Sequence, residues 1–274
     1  MSPLLLSLIL GILQGLTEFL PVSSSGQLAL AQALYGITEP EVFFDLVLHL
    51  GTLTAVIAFY RTEFFGMLKE LRVLGVSDSL AVSFRTRPLF RLGVMIVLGS
   101  IPTALIGLIF RDFLASLFTS LLAVGLNLLL TAVFLLVAAF RRNVTIKSEL
   151  EFPVWVALAV GLAQGLAIAP GLSRSGVTIS LAIMLGMERS LAARFSFLLS
   201  IPAIIGALLL YIPKAELSVF PMEALALGFV VSAGVGFLSL LLLSLLLKKD
   251  RFQVFVPWCV CAGCLALYLH YHHF

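Results

Sequence analysis

Charge is what this sequence has least of: Asp, Glu, Lys and Arg make up 11% of its 274 residues, against 61% hydrophobic ones. So little polar surface cannot cover a soluble domain of this size. With a mean hydropathy of +1.15, the chain reads as a polytopic membrane protein. Its net charge of +3 calls for no nucleic-acid partner. Cysteine is also scarce: Cys259, Cys261 and Cys264 share one apolar run, where thiols are expected as small hydrophobes and not as metal or redox ligands. The start, Met-Ser-Pro-Leu-Leu-Leu, lacks the basic region of a signal peptide and is expected in the mature fold. There is no Walker loop, and the serines do not sit in a Gly-x-Ser-x-Gly elbow, so soluble-type nucleotide and serine-hydrolase chemistry lacks its motif.

What is there is one polar stretch between apolar runs, residues 164–178, Gln-Gly-Leu-Ala-Ile-Ala-Pro-Gly-Leu-Ser-Arg-Ser-Gly-Val-Thr. An arginine at such a place is expensive and therefore functional by expectation. The stretch has a twin. Placing Gln14 on Gln164 aligns Ser23 with Ser173, Ser24 with Arg174, Ser25 with Ser175 and Gly26 with Gly176 without a gap, and the first copy carries the opposite charge, Glu18. Two Gly/Pro-broken hairpins at a constant offset predict an all-α, inverted-repeat membrane fold.

In chain order, the first repeat (1–140) reads as a re-entrant hairpin (3–35) and spans at 42–60, 88–110 and 114–140. The second (153–270) reads as a hairpin (153–187) and spans at 190–211, 221–247 and 252–270. The hairpin helices, at ~1.5 Å per residue, fall near or below a ~30 Å bilayer core; their irregular backbone belongs against protein or water. The 61–87 link mixes charges with Phe64, Phe65, Met67, Leu68 and Leu71 and reads as an interfacial helix. Three spans per half turn the second half upside down. Of the 17 Lys and Arg, only Arg111 and Lys214 then fall on the side of the N-terminus, with Arg174 inside the membrane. The positive-inside rule therefore puts both termini outside the cytoplasm, and Trp155 and Trp258 at the cytoplasmic interface.

Inverted symmetry brings the two broken tips together near the midplane, Glu18 toward Arg174, with Ser23, Ser24, Ser25, Ser173, Ser175 and Thr178 around them. A helix starts after each serine cluster, and helix N-termini favour anions. Arg174 adds a forked donor suited to phosphate oxygens. Beside a phosphate, Glu18 makes sense if it binds a divalent cation, Mg²⁺ or Ca²⁺, or orients a water. The competing reading is a buried Glu18–Arg174 ion pair that only pins the halves together.

Gln14-x-x-x-Glu18-Phe-Leu-Pro-Val-Ser-Ser-Ser-Gly, with Pro170-Gly-Leu-Ser-Arg-Ser-Gly-Val-Thr178, resembles the paired signatures of the bacitracin-resistance-type undecaprenyl-diphosphate phosphatases. The run Phe44-Asp45-Leu-Val-Leu-His49-Leu-Gly-Thr52 looks like the family's next segment, and the resemblance extends over essentially the whole chain. It implies hydrolysis of a polyprenyl diphosphate, undecaprenyl diphosphate, to undecaprenyl phosphate and phosphate at the outer face of the bacterial cytoplasmic membrane, in lipid-carrier recycling for cell-wall synthesis and bacitracin resistance. It also implies Glu18 as the catalytic carboxylate, Gln14 as its partner and a divalent metal held at Glu18. Arg174 would clamp the diphosphate, with Ser24, Ser25, Ser173, Ser175 and Thr178, together with Ser23, Gly171 and Gly176 of the same motifs, forming its cradle.

The chain departs from the family at one place: Gln27 stands where the family usually has His. Gln can hydrogen-bond a phosphate but cannot carry a proton near neutral pH. His49 is the candidate substitute, with Asp45 one turn earlier to orient its ring; an interior hydrogen-bonding role is the other reading. His270, His272 and His273 are expected as a solvated, frayed end. The attacking group is left open between a Glu18-held water and Ser24. Two rival functions stay open, a carrier that moves undecaprenyl phosphate without cleaving anything and a lipid-binding scaffold. The sequence sets no oligomeric state, and a homodimer is allowed.

Overall fold

The computed structural model describes residues 2–35, 42–72, 79–211 and 220–273. Among them are thirteen α-helices and an isolated bridge between Ile146 and Met187, with no sheet. The first hairpin is α1 (Pro3–Phe19) and α2 (Ser24–Tyr35). Ser2 caps α1 with Pro3 at its first turn, where proline's missing N–H costs nothing. α3 (Val42–Phe59) bends by 78° into α4 (Arg61–Arg72). α5 (Leu80–Thr86), α6 (Pro88–Ile109), α7 (Arg111–Ser116) and α8 (Leu121–Phe140) complete the first half.

The second half consists of the hairpin helices α9 (Val154–Leu166) and α10 (Arg174–Met184), then α11 (Arg189–Tyr211), α12 (Met222–Lys248) and α13 (Val256–His273). Five helices of the described chain are long and apolar enough to cross a membrane, or six with the bent pair counted as one span. The protein is thus an all-α polytopic membrane protein. α9 and α10, of 13 and 11 residues, rise only ~20 Å and less, short of a full crossing.

Two expectations are corrected. The run 114–140 is not one helix: a 3-10 turn at Leu117–Thr119 interrupts it, and Ser120, accepting from the Ala123 N–H, starts α8 at Leu121. The C-terminal histidines do not lie beyond the last helix, because α13 continues through His273, with the Tyr268 and His272 rings 4.3 Å apart.

Each hairpin leans on the opposite half: α1 lies along α12, and α9 along α6. Apolar burial gives little drive between helices in lipid, so close backbone approach matters, and small residues permit it. A Cβ on Gly161 would stand 1.8 Å from the Gly99 carbonyl oxygen, and one on Gly15 2.8 Å from the Gly236 nitrogen. Gly11 and Gly15 match Gly161 and Gly165 at the same offset as the two serine clusters. α8 lies along α13, and buried Phe19, Phe152, Phe195, Phe197 and Phe252 belong to the central core.

Candidate active site

The site forms where the two hairpins touch. α1 ends at Leu20 and the chain turns through Pro21, Val22 and Ser23. Ser23 takes a left-handed backbone, φ 63°, and its Oγ accepts from the Gly26 N–H at 3.2 Å. In the second hairpin the Ser173 Oγ accepts from the Gly176 N–H at 3.1 Å. Each capping hydroxyl also lies 3.3 Å from the serine two residues on, Ser25 and Ser175 respectively. The twin sequences therefore make twin caps, and the first turns of α2 and α10 keep the N–H groups that a helix start leaves without intrahelical partners. Gly171 has φ +85°, and a Cβ there would come 2.3 Å from the Val124 carbonyl oxygen. Glycine is thus required both for the turn and for its seat against α8. A Cβ on Gly26 would reach the Gly171 Cα at 3.0 Å, so hairpin touches hairpin.

Glu18 is the centre. Its Oε1 accepts from Arg174 Nη2, and its Oε2 from Gln14 Nε2 and Ser24 Oγ, both at 3.1 Å. The two charged side chains are only 8% and 15% exposed. Arg174 Nη1 is buried with no hydrogen-bond partner. An unsatisfied buried donor of this kind costs ~1–3 kcal/mol, a cost that an acceptor brought by a ligand would remove. His49 completes the cluster, its Nε2 3.8 Å from Glu18 Oε2. Its Nδ1 lies 2.8 Å from the Asp45 main-chain oxygen. A carbonyl can only accept, so Nδ1 carries a proton, and Nε2 is the ring nitrogen that faces Glu18. The group orienting the ring is the Asp45 carbonyl where its carboxylate was expected. Asp45 lines, with Gln14 and Ser24, a cavity of about 20 Å³ walled by Leu10, Leu13, Leu28 and Leu48, enough for one water.

Two expected cradle residues are engaged elsewhere. The Thr178 hydroxyl is buried, bonded to the Arg174 main-chain oxygen at 2.7 Å and to Ser196. Gln27 Nε2 donates to the Val22 carbonyl at 3.0 Å, bracing the first turn. Sequence reasoning missed the residues that hold the tips. Asn127 Nδ2 donates to the Pro170 oxygen at 2.8 Å, and Thr131 Oγ1 accepts from the Ser173 N–H at 3.0 Å. Cys259 Sγ donates to the Pro21 oxygen at 3.2 Å. Thus α8 holds the second tip and α13 the first. The available signal was Asn127 itself, a costly polar residue within an apolar run.

Among the described residues no group of three or more His, Cys, Asp or Glu could hold a metal. The donor set at Glu18, one carboxylate with an amide and a hydroxyl, fits a divalent cation shared with phosphate oxygens of a ligand and not one held by protein alone.

Residues 7–265 match the family described as bacitracin resistance protein BacA. An undecaprenyl-diphosphatase of Desulforapulum autotrophicum is 41% identical over 264 residues, covering 94% of this chain and 95% of the relative. One of Methanosphaera stadtmanae is 37% identical over 98% of this chain and 99% of its own length, and one of Carboxydothermus hydrogenoformans 39% identical over 91% and 90%. With the twin hairpins and these full-length matches together, the chain belongs to the bacitracin resistance protein BacA family.

Proposed function

We propose that this protein hydrolyses undecaprenyl diphosphate to undecaprenyl phosphate and inorganic phosphate, with the Glu18–Arg174 pair as the reacting centre. One observation carries the reading: a single buried carboxylate gathers Arg174, Gln14 and Ser24 while Arg174 keeps a buried donor for an acceptor the protein does not supply. A terminal phosphate supplies that acceptor. The relatives' name, undecaprenyl-diphosphatase, gives the substrate. The same name disfavours the carrier reading.

The Ser24–Glu18 hydrogen bond has the length expected of a nucleophile and its base. Glu18 takes the Ser24 proton as Oγ bonds to the terminal phosphorus. The anhydride P–O bond breaks and undecaprenyl phosphate leaves. Water from the cavity beside Gln14 and Asp45 then attacks the phosphoserine phosphorus, giving its proton to His49 Nε2 as the P–Oγ bond breaks; Glu18 returns its proton to Ser24 Oγ and phosphate is released. Arg174 and the first-turn N–H groups of α2 and α10 meet charge on the transferred phosphoryl, where positioning and electrostatics dominate the chemistry. Glu18 would hold Mg²⁺ or Ca²⁺, which would supply further neutralisation of that charge. Gln27 takes no proton in this scheme, its amide being committed to the first turn.

We place the protein in the cytoplasmic membrane with the catalytic site open to the outer face and both termini outside. What supports this is the clustering of Arg141, Arg142, Arg189 and Lys248 around one cavity, as the positive-inside rule expects of a cytoplasmic end. The inverted repeat is supported by the reciprocal pairings α1 with α12 and α9 with α6.

The test is phosphate release from undecaprenyl diphosphate by purified protein in detergent, with Mg²⁺, Ca²⁺ or chelator, for wild type and Glu18→Ala. Release that needs Glu18 is expected. A folded wild type that binds the lipid and releases nothing under all three conditions would overturn the assignment.

A further inference from the structure

A second polar cavity, about 660 Å³, opens between the end of α8, the start of α11 and the end of α12. It is separate from the catalytic cluster: Tyr60 on its wall stacks at 6.2 Å on Phe197, which meets Phe19 edge-on at 5.6 Å, and Phe19 follows Glu18 in the chain. Five cationic residues line it, Arg141, Arg142, Arg189, Arg194 and Lys248. The carboxylates there are already divided. Glu188 binds Ser190 and so caps α11. Arg194 is held by Glu149 at 2.8 Å and Glu63 at 3.9 Å. That leaves Asp250 as the shared partner of two guanidiniums, Arg142 and Arg189, the latter at 2.6 Å. Arg189 Nη1 is buried with no hydrogen-bond partner.

Asp250 reaches this position with φ 59°, the left-handed region that Asp and Asn tolerate best among non-glycine residues. Two forked cations around one carboxylate leave donors over. A carboxylate offers two oxygens, where a phosphate offers three or four and spans two guanidiniums.

We propose that this cavity is a second anion site, built to take a phosphate group between Arg142 and Arg189, in which the Asp250 carboxylate stands in for the ligand and is displaced by it. The phosphate comes either from a lipid headgroup or from solution. The site does not depend on the catalytic reading.

The test measures thermal unfolding of the full chain in detergent, on a Glu18→Gln/Arg174→Gln background that silences the catalytic clamp and leaves neither charge unpaired. Inorganic phosphate or short-chain phosphatidate is titrated against chloride at equal ionic strength. Asp250→Asn keeps the backbone conformation and removes the resident charge, so the stabilising anion should act at roughly tenfold lower concentration, about one charge-assisted hydrogen bond no longer displaced. In Arg142→Gln/Asp250→Asn, which removes both members of one pair, the effect should be lost. If phosphatidate acts well below inorganic phosphate the source is a lipid headgroup; the reverse order names free phosphate. The proposal is overturned if neither anion raises the unfolding temperature, if Asp250→Asn leaves the titration unchanged, or if the response survives in the double variant. No arm reads phosphatase activity, so failure here and failure of the catalytic reading are told apart.

Discussion

Ser24 and Arg174 occupy the same place in the two copies of the hairpin sequence, and both hold the one Glu18 carboxylate, Ser24 on Oε2 and Arg174 on Oε1. At that shared position one hairpin sequence offers Glu18 a hydroxyl and the other a cation. A site of this kind needs both halves of the chain.

Ser24→Ala should lower kcat for phosphate release by about 10³-fold or more if the hydroxyl attacks phosphorus. Ser25→Ala, which loses a 3.3 Å contact with Ser23, should stay within about tenfold. Steady-state rates with trapping of a phosphoserine in wild type check this. Equal, small losses in both variants would leave water as the attacking group.

Glu18→Gln should cut the rate by about 10²–10⁴, the usual range for a general base, and also destabilise the protein by about 3–5 kcal/mol, because Arg174 is left as an unpaired buried charge. Glu18→Gln/Arg174→Gln should recover most of the stability and none of the activity. Denaturation midpoints measured beside the phosphate assay separate the two effects.

Gln27→Ala should cost about 1 kcal/mol, one hydrogen bond to the Val22 carbonyl, while leaving the shape of the pH–rate profile unchanged. A profile that lost a limb would show Gln27 acting on the proton inventory, contrary to its observed bond.

Gly161→Ala should be far more damaging than Gly11→Ala. The first Cβ meets the Gly99 oxygen at 1.8 Å, where backbone must move, and the second meets Gly228 and Val231 at 3.1 Å. Overpacking costs about 1–3 kcal/mol where neighbours can yield; the three atoms nearest a Gly161 Cβ are all backbone of Gly99. Size-exclusion profiles and unfolding temperatures in one detergent give the ranking.

The all-α, multi-helix membrane character and the meeting of Glu18 with Arg174 were legible because local rules set them: apolar runs, Gly/Pro breaks and a repeated serine cluster. The anchors of the tips were not. Asn127 and Pro170, or Cys259 and Pro21, are far apart in sequence and meet only through the packing of α8 and α13. Thr178 shows a related effect. Motif membership says that a hydroxyl is near Arg174, but the partner that claims it, Ser196, lies on α11. The start of α8 escaped because Leu117 and Phe118 are as apolar as any span, and Ser120 decides the boundary through one cap.

The packing of α1 along α12 also sets an order of events during synthesis. The partner of the first helix begins at Met222, about 200 residues after α1 ends, so at ~5–20 residues per second it emerges ~10–40 s later. Arg174 arrives only part of the way through that wait. Until it does, Glu18 waits in an apolar helix without its cation, and α1 gains its main packing partner only once α12 has been made.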